Sequence, residues 1–366
     1  MPAHESPHQT IRQLRPSPAL AAAGATALLL ALAAATPAHA TGLHLVRPGE
    51  SIQQAIDHAA PGDTIVVAPG TYRGSLRISV PGLTLRGMGP QTVITRQDDA
   101  ATGSAADCAM AGNGICVTGT ADHPIPDVTI ESLAVLGFSH NGIWASGTDR
   151  LTVHQVLAER NGQEGIGQEM SVRSRLTDNT ARQNGEAGIF LANVAYGKGG
   201  ATDTRGTLIA GNRLTDNRMG MVVRRLRGLT AEGNTISGNC AGVFLVGDNG
   251  RPRTGDLDVR SNQVTGNNRY CPATDKLPFL QGIGIVLTGV EQTRVTHNLV
   301  TGNIGSAPMS GGIVLFKSFN GGPSTDNTIS DNLATGNAPA DLADRDTGTN
   351  TFTRNQCRTA EPAGGC

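Results

Sequence analysis

Residues 298–303 read Asn298-Leu299-Val300-Thr301-Gly302-Asn303, and residues 312–316 read Gly312-Ile313-Val314-Leu315-Phe316. The first is a short strand held between two asparagines. The second is a glycine followed by an apolar strand. Both features recur in either direction along the chain. The glycines are Gly114, Gly142, Gly165, Gly188, Gly220, Gly242, Gly284 and Gly312, and the asparagine pairs include Asn179/Asn184, Asn212/Asn217, Asn234/Asn239, Asn262/Asn267 and Asn332/Asn337. Successive glycines lie 28, 23, 23, 32, 22, 42 and 28 residues apart. Each unit of this length is one rung of a stack, unable to bury its apolar face without neighbours.

Within a rung the apolar residues alternate as they do in strands, so Ile313 and Leu315 point inward and Val314 and Phe316 outward. Asparagines at the same corner of successive rungs can bond to the rungs above and below, and asparagine also tolerates a left-handed corner. The shortest intervals define a rung of about 22 residues. Longer ones carry insertions at Tyr196–Arg205, Asp248–Asp256, Asn268–Gly282 and Gly305–Gly311. Insertions in repeat arrays map to a shared face, often the binding face.

Forty-eight glycines with only 3% aromatics suit a tight-turning solenoid. The 29 basic side chains balance 30 acidic ones, which argues against a globally basic nucleic-acid surface. Arg12 and Arg15, the apolar run Ala19–Ala35 and the small-residue site Ala38-His39-Ala40 read as a secretory leader. A membrane anchor is the alternative, but the run is short for a spanning helix. The reading divides the chain into a leader over 1–40 and one domain over 41–366, a secreted, extracellular monomer with no membrane association after cleavage. Six cysteines agree with export. In a solenoid only near neighbours meet, which favours Cys108/Cys116, Cys240/Cys271 and Cys357/Cys366 among the fifteen connectivities. The first closes a loop, the second staples an insertion, and the third clasps the C-terminus. No C-x-x-C or His/Cys cluster suggests a metal.

At the front, Ser51 is a candidate N-cap for a short helix whose Ile52, Ala55, Ile56 and Ala59 share one face. Such a helix caps a solenoid end that would otherwise expose its core and open sheet edges. A strand over Thr64–Ala68, a turn at Pro69–Tyr72, strands near Leu76–Ile78 and Leu83–Arg86, and a surface loop over Gln97–Asn113 follow.

The stretches Gly62-Asp-Thr-Ile-Val-Val-Ala-Pro-Gly-Thr-Tyr72 and Gly82-Leu-Thr-Leu-Arg-Gly-Met-Gly89, with the Gly-Ile and Asn-x-x-x-x-Asn rungs, resemble pectin-lyase-like right-handed parallel β-helix proteins. Repeats of this kind are shared by the NosD copper-pathway proteins and the mannuronan C5-epimerases. The resemblance implies an all-β fold, a single right-handed parallel β-helix with a short N-terminal capping helix. It leaves the activity open, because the superfamily spans lyases, hydrolases, epimerases and proteins without known catalysis. The epimerases' Asp-Pro-His motif is absent, no clean match to the pectate-lyase or polygalacturonase pattern is found, and the His, Met or Cys cluster that copper would require is also missing.

The second and fourth positions after each glycine nominate an apolar outer face. It can be read as covered by inserted loops, as a protein interface, or as a sugar-binding groove with Trp144, Phe190 and Phe244 as stacking platforms. Glu164, Glu169 and Glu186 stand near the starts of adjacent rungs as candidate ligands for Ca²⁺ or as an acid–base pair. Arg224 and Arg225, with Tyr196 and Lys198 on the neighbouring insertion, supply the cation and base that a uronate lyase or epimerase needs. Glu169, Arg224, Lys198 and Tyr196 are the catalytic candidates, while Arg225 and His140 join the aromatic residues in binding. The plain alternative is that charged turn residues keep a solenoid soluble. Function therefore reads as a carbohydrate-active protein on an extended acidic polysaccharide, by β-elimination or C5-epimerisation. The alternative is a non-catalytic binder of glycan or protein.

Overall fold

Each rung gives one strand to each of three parallel sheets in the computed structural model, which describes residues 41–97, 103–194, 199–319, 321–363 and 366. The leader expected over 1–40 lies outside the described residues. Sheet A runs from Leu43–Val46 to Thr351–Thr353, sheet B from Gly70–Arg73 to Leu333–Thr335, and sheet C from Leu76–Ile78 to Ala360–Glu361. Neighbouring strands come from successive rungs in matching register. On sheet A, Val153, Leu176, Ile209, Ala231, Val259, Val295 and Ile329 therefore form one inward column. All are buried in a continuous core. Each fully buried aliphatic side chain contributes about 1.5–3 kcal/mol. The fold is an all-β right-handed parallel β-helix.

The asparagines form two ladders through the corners on either side of sheet B. Asn212 donates from both its backbone N–H and Nδ2 to Oδ1 of Asn234, each at 2.9 Å, and from Nδ2 to the Leu176 carbonyl at 2.8 Å. The second ladder ends where Asn337 donates from N and Nδ2 to Oδ1 of Asp341, at 2.9 and 3.0 Å. The left-handed conformation expected at the asparagines falls instead on the residue before each: Asp178, Gly211, Gly233, Ser261 and His297 have φ of 56°, 67°, 62°, 55° and 56°. That residue turns the chain outward, and the asparagine then points its amide inward across the rungs.

The capping helix spans Ile52–His58, with Ser51 Oγ accepting from the Gln54 N–H at 3.2 Å and Ile52 and Ile56 buried. Asp63 fastens the first strand by accepting from His44 Nε2 at 2.8 Å, Ala60 N at 2.9 Å and Gly42 N at 2.6 Å. The His44 bond and then the two backbone bonds hold its pKa near 2. Two local expectations are corrected. Gly70–Arg73 is a strand of sheet B, not a turn, and the segment before Cys116 carries a helical turn, Gly103–Ala105, and a short helix, Ala106–Met110.

The three local disulfides are present, Cys108–Cys116, Cys240–Cys271 and Cys357–Cys366. They differ in setting. Both cysteines of the first two are buried. The third is a surface clasp rather than a buried staple: Cys357 packs partly against the core, whereas Cys366 is exposed and belongs to no strand.

Candidate functional site

The outer face of sheet C carries the nominated columns. Register aligns Trp144, Gly167, Phe190, Val222, Phe244, Val286 and Val314 in one, and Ser146, Glu169, Ala192, Arg224, Val246, Thr288 and Phe316 in the other. The two halves of this face differ. From Val222 onward the first column is covered. Cys271 and Leu280 from the 268–282 insertion, with Met309, close a second apolar cluster over Val222, Phe244, Val286 and Val314. The Cys240–Cys271 disulfide pins the insertion, and Cys271 and Leu280 exchange backbone bonds of 2.9 Å across its base. Phe244 is only 3% exposed, so it is core under this cover rather than a stacking platform.

The other half meets only the edge of this cluster, through Phe190. Trp144 and Phe190 are half-buried and stacked, with ring centroids 6.5 Å apart and planes 20° from parallel. They meet across Gly167, where an added Cβ would lie 2.6 Å from a Trp144 ring carbon. Gly167, not a candidate from the sequence, is what lets the indole lie across its rung. Ser146 Oγ donates to Glu169 Oε1 at 3.3 Å. Arg224 stands two rungs from Glu169 with small Ala192 between them, about 10 Å along the stack. Burial, and then neighbouring Arg225, lower the Arg224 pKa.

Arg225 is a correction. It is 7% exposed and donates from Nε and Nη2 to Asp248 Oδ2, both at 2.7 Å. Its φ of 51° turns the chain into the corner, so it holds the 248–256 insertion while Arg224 stays on the face.

The expected three-carboxylate metal group does not form. Glu164 and Glu169 sit at opposite ends of the strand Ile166–Glu169, roughly 16 Å of extended chain. Among the described residues no group of three or more His, Cys, Asp or Glu is placed to hold a metal ion. Glu164 instead couples to Glu186 in the next rung. Burial, then the Glu186 charge, push the Glu164 carboxyl up to about 7. Burial also raises Glu186, opposed by Arg218 and Lys276. Arg218 Nε lies 3.5 Å from Glu186 Oε2. Sequence reasoning missed Arg218, although it precedes Gly220 by the same two positions that separate Glu186 from Gly188.

His140 is an exposed turn residue at the same edge: its carbonyl accepts from Gln163 N at 2.8 Å, and the Gln163 carbonyl accepts from Glu186 N at 2.9 Å. The candidates Tyr196 and Lys198 lie outside the described residues. No described helix is long and apolar enough to cross a membrane.

Residues 98–264 and 196–321 match the family described as "Right handed beta helix region", together more than half of the chain. The chain belongs to the right-handed β-helix family. No curated protein matches it. The family's fold is seen in the A-module of the Azotobacter vinelandii mannuronan C-5 epimerase AlgE4, 18% identical, with 85% of this chain and 91% of that one covered and a TM-score of 0.56. A family 28 exopolygalacturonase from Yersinia enterocolitica is 14% identical, with coverage of 87% and 78% and a TM-score of 0.56. The periplasmic alginate epimerase AlgG is 12% identical, with coverage of 86% and 84% and a TM-score of 0.51. At such identities the likeness is one of fold.

Proposed function

We propose that this right-handed β-helix protein is an exported, monomeric, carbohydrate-active protein that binds and acts on an extended acidic polysaccharide along the open half of sheet C. The observation that carries the reading is the Trp144–Phe190 stack across Gly167, with Glu169 and Arg224 on the same face. Flat aromatic faces suit the apolar faces of sugar rings. A guanidinium one rung beyond Phe190 suits a uronate carboxylate. The three disulfides suit an oxidising compartment, and the solved structures of like fold include proteins named as epimerases and an exopolygalacturonase.

Elimination or epimerisation at C5 needs a cation against the uronate carboxylate and a base for the proton. Arg224 is the cation in this reading and Glu169 the base nearest the platform. Glu164, which titrates near neutrality, is a second group able to hold or release a proton. Calcium is the ion expected for the three glutamates. Their separation does not suit one ion, and no step is assigned to it.

The test is proton NMR of alginate, pectate, glucuronan and a neutral glucan incubated with the mature protein. New vinylic signals would establish elimination, and altered anomeric signals epimerisation, each with its substrate. Unchanged spectra across the panel overturn the catalytic reading. Retained binding that Trp144→Ala abolishes would then mark a glycan-binding protein.

A further inference from the structure

Beside the Glu164–Glu186 edge a cleft of about 560 Å³ opens at the corner between sheets B and C. Its lining includes Gln183, Gly185, Asp216, Arg218, Arg269 and Cys271. Two walls come from rung corners, and the third is the base of the 268–282 insertion that covers the apolar half of the face. The insertion is fixed there by three links. Cys271 is bonded to Cys240, Arg218 Nη2 donates to the Pro272 carbonyl at 2.9 Å, and Arg269 Nη1 donates to the Asp216 carbonyl.

We propose that this cleft is a second subsite, which takes a carboxylate-bearing sugar unit of the same polysaccharide between Arg218 and Arg269. The proposal rests on the reading of the sheet C groove given above. Size is the first argument, because a site of several hundred Å³ accommodates a sugar unit. Charge is the second. Two guanidiniums line the cleft, and each has five N–H donors, more than the contacts just described engage. The Asp216 carboxylate is turned along the stack, with Oδ1 2.6 Å from where a Cβ on Gly238 would lie. Glu186 is already met by Arg218 at 3.5 Å, with Lys276 also lowering its pKa. Continuity is the third argument. Arg218 lines the cleft and pairs with Glu186. Glu186 acts on Glu164, whose Cβ would lie 3.6 Å from a Cβ added at Gly167, beneath the indole. A chain seated on Trp144 and Phe190 can therefore continue past the carboxylate pair into the cleft.

Titration calorimetry with hexameric oligogalacturonate and hexameric oligomannuronate tests this. Arg269 is exposed, and its replacement leaves the Cys240–Cys271 disulfide and the Arg218–Pro272 bond to hold the insertion. Arg269→Gln is expected to weaken binding of the responding hexamer about ten-fold. Arg269→Lys should recover part of that loss, and Arg294→Gln on sheet A should bind as wild type. The disaccharide, too short to reach from the platform, should be indifferent to Arg269→Gln. Hexamer binding unchanged in both Arg269→Gln and Arg218→Gln would overturn the subsite. If Trp144→Ala binds normally while Arg269→Gln is weakened, the platform reading fails and the cleft stands. If the wild-type protein binds neither hexamer, both fail.

Discussion

Glu164 is a carboxyl whose environment works against its charge. Burial first, and the Glu186 charge second, raise it from an ordinary 4.5 to about 7. Folding therefore favours the protonated form. The stabilisation is fully present below the unfolded value of 4.5 and is lost as pH rises through about 7. Glu164→Gln keeps the shape and removes the titration. Its melting temperature should match wild type near about pH 5 and exceed it near about pH 8, by the equivalent of up to about 3 kcal/mol. A gap that stays constant between those pH values would sink the assignment. If Glu164 also moves a proton in the reaction, the same variant gains stability while it loses turnover. Rung spacing in the sequence set Glu164 beside Glu186 but left two readings open, a Ca²⁺ ligand set and an acid–base pair. Charge alone does not distinguish a ligand set from a carboxyl pair, and the burial that decides between them comes from the completed sheet. Arg224 and Arg225 show the same limit, because only the left-handed φ of 51° at Arg225 sends two adjacent cations to different sides.

Sheet C is one element with two fates along its outer face. The sequence showed its columns correctly, since strand alternation is a local property. It also showed the insertion over 268–282, as the 42-residue interval between Gly242 and Gly284. Where the insertion lands was not legible, because Cys271, Leu277 and Leu280 follow no rung period and meet the face only through the folded corner. The consequence separates two phenylalanines that stand one rung to either side of Val222. Phe244→Ala should cost about 3–5 kcal/mol in urea denaturation, as a core truncation does, and leave polysaccharide binding intact. Phe190→Ala should cost less in stability and weaken binding. Equal destabilisation with no binding difference would mean that the two halves of the face are alike and that the cover has no bearing on the site.

Across residues 41–366, stability is built one-dimensionally. Each rung is held by the rungs on either side, through three sheets and two asparagine ladders. This much was legible, because a repeated spacing states the architecture directly. A stack of this kind fails differently at its end and in its middle. At the front, Ile56 is 1% exposed and belongs to the core, and its helix packs on the strands Thr64–Val67 and Leu76–Ile78. Ile56→Asp places a charge in that contact and undocks the helix, leaving apolar residues and open strand edges that another copy can pair with. In the middle, Asn234 donates to the Ile209 carbonyl and to Asn262 Oδ1 and accepts from Asn212. Asn234→Ala removes those bonds at a cost of roughly 2–4 kcal/mol, but both neighbouring rungs still flank the gap and no edge is opened. Light scattering coupled to size exclusion should find Ile56→Asp self-associating and Asn234→Ala monomeric, although both lower the melting temperature. If both variants stay monomeric, the capping helix is not what keeps the stack from growing. If both associate, destabilisation alone drives association, and the end of the solenoid has no special standing.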